Sequence, residues 1–98
     1  MEKIYSLYVL KISGEVTKFG VTCNVPRRVR ALMIENSGGR FIFSVDMKTQ
    51  EDAMYIETAL KRYYLFFGAI VKGKREYVRS LPGEVVSTIK KMVVFAGL

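Results

Sequence analysis

Apolar and aromatic residues come first in short strand-like runs and later at helical spacing. Residues 4–12, IYSLYVLKI, are rich in β-branched and aromatic types and end at Ser13-Gly14, which predicts a strand. Residues 16–22, VTKFGVT, predict a second strand, so the two form a hairpin. Its register decides which side chains share a face. A three-residue loop of Ile12-Ser13-Gly14, with Gly14 left-handed, is a common hairpin type. It pairs Lys11 with Glu15 and sets Tyr8 directly opposite Lys18, on one face. A two-residue Ser13-Gly14 turn puts them on opposite faces instead. The first register is preferred because it joins the groups discussed below.

Asn24 is a good helix cap and Pro26 suits a first turn, so a helix is predicted to about Glu35. Val25, Val29, Leu32 and Met33 form its apolar stripe, flanked by Arg27, Arg28 and Arg30, with Arg28 at the edge of the core. Asn36-Ser37-Gly38-Gly39 ends it. Residues 40–47, RFIFSVDM, predict a third strand with Phe41, Phe43 and Val45 on one side. Thr49, with Asp52 three residues on, opens the longest helix, which runs to about Phe67 and stops at Gly68. Ala53, Ile56, Leu60, Tyr64 and Phe67 recur at helical spacing, and Glu57 interrupts the stripe. A carboxylate there needs compensation, either a structural Lys or Arg partner or a functional one. Residues 69–72 and 76–79 add short strands around a Gly73-Lys74 turn. Ser80-Leu81-Pro82 starts a last helix of about a dozen residues, with Val85, Val86, Ile89, Met92 and Val93 buried. The expected fold is a single α+β domain over residues 1–98, with a small, mostly antiparallel sheet of three or slightly more strands flanked by helices.

Composition narrows the chemistry. The chain has no histidine and one cysteine, Cys23, expected as a small core or loop residue. An internal disulfide and a cysteine-rich zinc site are excluded, and so is the commonest general base. Proton transfer must use Tyr, Lys, Glu, Asp or water. With 16 Lys and Arg against 9 Asp and Glu the net charge is +7, which favours polyanionic partners. Neutralising about five phosphates gives a log–log salt slope near about −4.5. No apolar run reaches the roughly 18 residues of a membrane span. The N-terminus reads as a strand and not as a signal peptide. A cytoplasmic location is therefore expected, or the host cytoplasm or nucleus for a viral protein.

The ordered motifs resemble those of the GIY-YIG nuclease superfamily, and more narrowly its small T5orf172-like branch found in phages, viruses and bacteria. Ser6-Leu7-Tyr8 stands where that family has its GIY triplet, and Lys18-Phe19-Gly20 where it has YIG. Asn24-Val25-Pro26-Arg27-Arg28 is similar to its Asn-x-x-x-Arg helix start. Residues 53–60, AMYIETAL, resemble the helix bearing its metal-binding glutamate, here Glu57. Gly73-Lys74-Arg75-Glu76-Tyr77 looks like the branch's late Gly-x-x-Glu-aromatic motif. The departures are Ser6 for the first glycine, Lys18 for the YIG tyrosine, and Leu32 and Lys61 where histidines are frequent.

The resemblance implies a GIY-YIG-like fold and a divalent-metal-dependent endonuclease hydrolysing DNA. Glu57 would hold one Mg²⁺ or Mn²⁺, a hard ion content with one carboxylate and several waters. Arg28 would grip a nonbridging oxygen. Tyr8 would orient or deprotonate water, helped by Lys18 as cation or as base. Glu76 would fix Arg28 or Lys18, and Gly20 would permit a close approach. Arg27, Arg28, Arg30, Lys61, Lys74 and Arg75 are the expected nucleic-acid contacts. With no appended reader, the chain would cut with little sequence preference, or be directed by a dimer mate or a separate targeting partner. Two other readings stay open: a nucleic-acid-binding module with a decayed site, and an interaction domain presenting Tyr63, Phe66 or Tyr77 to a protein.

Overall fold

The alternation of the first residues folds into an antiparallel hairpin of β1 (Tyr5–Ser13) and β2 (Val16–Thr22). The structure is a computed structural model that describes residues 3–98, the side chain of Arg75 excepted. The hairpin turns at Gly14-Glu15, with Gly14 at φ 42°, and not at Ile12-Ser13-Gly14. A bulge between Lys11 and Ser13 adds one residue to β1. Tyr8 therefore faces Gly20 and Leu10 faces Lys18. The turn alone would reverse the faces; the bulge restores them. Tyr8 and Lys18 share a face as diagonal neighbours, where direct opposition was expected.

β3 (Arg40–Met47) pairs with the outer edge of β1. β4 (Ile70–Val71) and β5 (Lys74–Arg79) form a second hairpin, turned at Lys72-Gly73, and β5 pairs with β2. The result is an antiparallel sheet of five strands, in the order β3-β1-β2-β5-β4. β5 pairs with β2 only through Val16–Arg79, Thr17–Val78 and Lys18–Tyr77, and beyond that pair the two strands part.

Three helices flank the sheet: α1 (Val25–Glu35), α2 (Gln50–Phe66) and α3 (Pro82–Ala96). Asn24 caps α1 by accepting from the Arg27 N–H at 3.1 Å, and Thr49 caps α2 by accepting from the Asp52 N–H at 3.0 Å. Gly68, at φ 66°, follows the end of α2 in the left-handed region. α3 has 15 residues, longer than the expected dozen, because its apolar pattern continues until left-handed Gly97.

Each face of the sheet has its own core. Leu7, Val9, Phe19 and Val78 pack under Ala53, Ile56, Leu60 and Tyr64 of α2 and under Val85 and Ile89 of α3. Tyr8 and Leu10, alternate residues of the same strand, pack under Leu32 of α1 with Val29 and Met33. Burying each such aliphatic or aromatic side chain stabilises by about 1.5–3 kcal/mol. Two stripe residues depart from the pattern. A register shift between Val9 and Leu10 pairs Phe41 with Leu10, so Phe41 leaves the side held by Phe43 and Val45 and is exposed. Phe67 caps α2 outside the helix and is exposed too. Among the described residues no helix is long and apolar enough to cross a membrane.

Candidate functional site

Tyr8 lies in the middle of β1, 1% exposed, with its ring laid across Gly20 of β2. A Cβ on Gly20 would stand 2.7 Å from the Tyr8 Cζ and closer still to the hydroxyl. Glycine is therefore the residue that lets the phenol lie flat on the neighbouring strand. The phenol oxygen accepts from Arg28 Nε at 3.4 Å. Arg28 is exposed on the first turns of α1, which its cap fixes beside β1. The bond to Tyr8 is the main cause that raises its pKa above the usual guanidinium value; Glu76 and Glu35 also raise it, against burial.

Lys18 is 3% exposed, a rare setting for an ammonium. It donates to Glu76 Oε2 at 2.6 Å and to the Phe19 carbonyl at 3.2 Å. Its Nζ stands 5.7 Å from the Tyr8 ring centroid and 5.1 Å from that of Tyr77. Lys74 reaches the Tyr77 ring as well, at 4.9 Å. The Lys18–Glu76 contact forms where β5 leaves β2, since Glu76 follows the last paired residue, Tyr77, on the way out.

Glu76 continues the chain of charges. Its second oxygen, Oε1, lies 3.4 Å from Lys61 Nζ on α2, and Lys61 in turn donates to Glu57 Oε1 at 3.2 Å. Burial alone would raise the Glu76 carboxyl, but the Lys18 hydrogen bond and the charges of Lys18 and Lys61 hold it below 4.5. Lys61 is pulled down by burial and raised further by Glu57 and Glu76, so it ends above 10.5. Glu57, 5% exposed, sits in the buried stripe of α2 between Ile56 and Leu60. Arg28, Tyr8, Lys18, Glu76, Lys61 and Glu57 thus form one connected line of polar groups, drawn from α1, β1, β2, β5 and α2.

Of the expected site residues, Tyr8, Lys18, Arg28 and Glu57 all belong to this line, Glu57 through Lys61 and Glu76. Glu76 touches Lys18 directly, and reaches Arg28 by charge and not by a hydrogen bond. Arg27, Arg30 and Lys74 are exposed, and of these Lys74 reaches the cluster at the Tyr77 ring; the Arg75 side chain lies outside the described residues. Cys23 is exposed in the link between β2 and α1, not in a core. Two participants were not foreseen in these roles. Lys61 is the partner of Glu57, a placement its spacing of four residues on one helix signals. Tyr77 is a half-buried platform for two ammonium groups, visible only once Lys18 is known to pair with it. Ser6 is buried and donates to Asp46 Oδ1 at 2.6 Å across β1 and β3.

Whether these residues suit a divalent ion follows from the donor set. No three acidic or cysteine side chains gather to hold a metal among the described residues. A cage made wholly of protein ligands is therefore not on offer. Glu57 presents a single carboxylate, which suits a hard ion that keeps most of its waters, as Mg²⁺ does. Lys61 already touches one of its oxygens. In comparisons with known proteins, the chain matches no family, no curated protein and no solved structure.

Proposed function

We propose that the protein is a GIY-YIG-like nuclease domain, of the T5orf172-like kind, that hydrolyses phosphodiester bonds of DNA with low intrinsic sequence specificity. The observation that carries the reading is the connected line from Arg28 to Glu57. The first three elements, β1, β2 and α1, contribute to it together with the distant α2 and β5, and it includes a buried lysine and a buried glutamate that the fold would otherwise be better without.

In this reading Arg28 binds a nonbridging phosphate oxygen through its fork of donors. Tyr8 holds the attacking water with the oxygen that now accepts from Arg28. Lys18, fixed by Glu76, supplies a positive charge beside the Tyr8 ring. Glu57 would hold the Mg²⁺ or Mn²⁺. When bound, such an ion supplies charge neutralisation at the phosphate and at the leaving oxygen. Exposed Arg27, Arg30 and Lys74 hold the backbone on either side, with Arg75 next in the same motif.

The test is nicking of supercoiled plasmid with Mg²⁺ or Mn²⁺. Nicking is expected in the wild-type chain and in Lys90→Ala, a lysine of α3 that lies over Phe43. It is expected to fall by 10²-fold or more, about 2.7 kcal/mol of transition-state stabilisation, in Arg28→Ala and Glu57→Gln. A second reading has one observation in its favour: both carboxylates already have lysine partners. That suits a module that binds nucleic acid without cutting it. Salt-sensitive binding with no cleavage under either metal would select it.

A further inference from the structure

The two carboxylates of the cluster, Glu57 and Glu76, share two ammonium partners that are held very differently. Lys18 is buried, bonded at 2.6 Å to Glu76 and again to a backbone carbonyl. Lys61 is 31% exposed and divided between Glu57 at 3.2 Å and Glu76 at 3.4 Å. Both distances are long for a charge-assisted bond. A flexible, partly hydrated lysine so divided is the movable member of the line.

Glu57 has the opposite character. It is 5% exposed, and Lys61 is its ion-pair partner among the described residues. A buried carboxylate stripped of its cation is strongly disfavoured. Lys61 therefore leaves Glu57 only if another cation replaces it. A divalent ion, for its part, meets like-charge repulsion while the Lys61 ammonium is in place. A nucleic-acid phosphate reaching the exposed side of Lys61 offers it a new partner and breaks this deadlock.

We propose that Lys61 is a resident counter-cation that competes with the divalent ion for Glu57, and that a nucleic-acid phosphate, by drawing Lys61 away, opens the metal position. Polyanion and divalent ion then bind cooperatively, each tightening the other by the same factor. Lys61 acts as a positioning residue, and Glu76 stays with Lys18 throughout. This inference rests on the reading of the cluster as a phosphodiester site.

Calorimetric titration of Mn²⁺ into the full chain tests it, at fixed ionic strength, with and without a short phosphorothioate oligonucleotide. Glu57→Gln protein supplies the background of ions held by the oligonucleotide itself. The oligonucleotide is expected to tighten Mn²⁺ binding about tenfold or more, within the usual range of such couplings. Lys61→Met should bind Mn²⁺ as tightly alone as with the oligonucleotide, whereas Lys61→Arg should keep the coupling. Equal Mn²⁺ affinity with and without oligonucleotide in the wild type overturns the proposal, as does undiminished coupling in Lys61→Met. If Lys61→Met does not fold, Lys61→Gln takes its place, with the same outcomes deciding: lost coupling supports the proposal and undiminished coupling overturns it. Coupling without plasmid nicking leaves this inference standing and removes the hydrolase; nicking without coupling does the reverse.

Discussion

At Gly20 an added methyl group would run into the Tyr8 phenol, whose position the Leu32 side of the core holds fixed. Gly20→Ala should destabilise the fold by about 1–3 kcal/mol through overpacking. It should also displace Tyr8 from Arg28. Urea denaturation checks the first effect, and loss of any nicking activity checks the second. Glu76 gives a residue-scale pH dependence. Its folded-state carboxyl lies below 4.5, so its stabilising share is present above that pH and is lost as the pH falls through the depressed value. Lys61 lies above 10.5, so its share is present below that pH and is lost as the pH climbs through the raised value. Melting temperature against pH should show a steeper acid limb in the wild type than in Glu76→Gln; identical limbs would contradict the assignment. Much of this was legible in sequence. Glu57 announces itself as a charge inside an apolar stripe, and Lys61 follows at one helical turn. Tyr77 does not, because a strand aromatic looks the same whether it meets solvent, a protein or two ammonium groups.

Among the elements, α2 carries the larger of the two cores, and its two faces differ sharply. Leu60 is wholly buried, whereas Phe66 is 83% exposed. Leu60→Ala should cost about 2–5 kcal/mol, and Phe66→Ala should stay within about 0.5 kcal/mol. Urea midpoints of the two variants decide it. All three helices and the first three strands follow from apolar period, caps and glycine stops, since those signals are local. Register is not local. The Gly14-Glu15 turn moves the pairing by three residues and the bulge after Lys11 takes back one, so the net shift of two returns Tyr8 and Lys18 to a common face. Nothing in the string SGE marks which two residues turn. The shift between Val9 and Leu10 that turns Phe41 outward is equally silent, because the alternation of Phe41, Phe43 and Val45 reads as unbroken.

Across the whole molecule, the net charge of +7 was plain from the start, but its organisation was not. The cluster interleaves its cations with carboxylates, while Arg27, Arg30 and Lys74 stand exposed. The sheet reaches five strands because both short strands expected at 69–72 and 76–79 form, β4 as two residues and β5 from Lys74, with the turn one residue earlier than expected. Its attachment has a mechanical consequence. The β4–β5 ribbon is fastened to β2 by one short zipper, ending at Lys18–Tyr77. Unfastening it costs less than breaking the β3-β1-β2 centre, so its amides should exchange with deuterium sooner than those of β1. Each such opening lifts Glu76 off Lys18 and strands a bare ammonium in the interior, which works as a spring that pulls the ribbon shut. Exchange in β5 should accordingly speed up in Glu76→Gln while β1 keeps its pace.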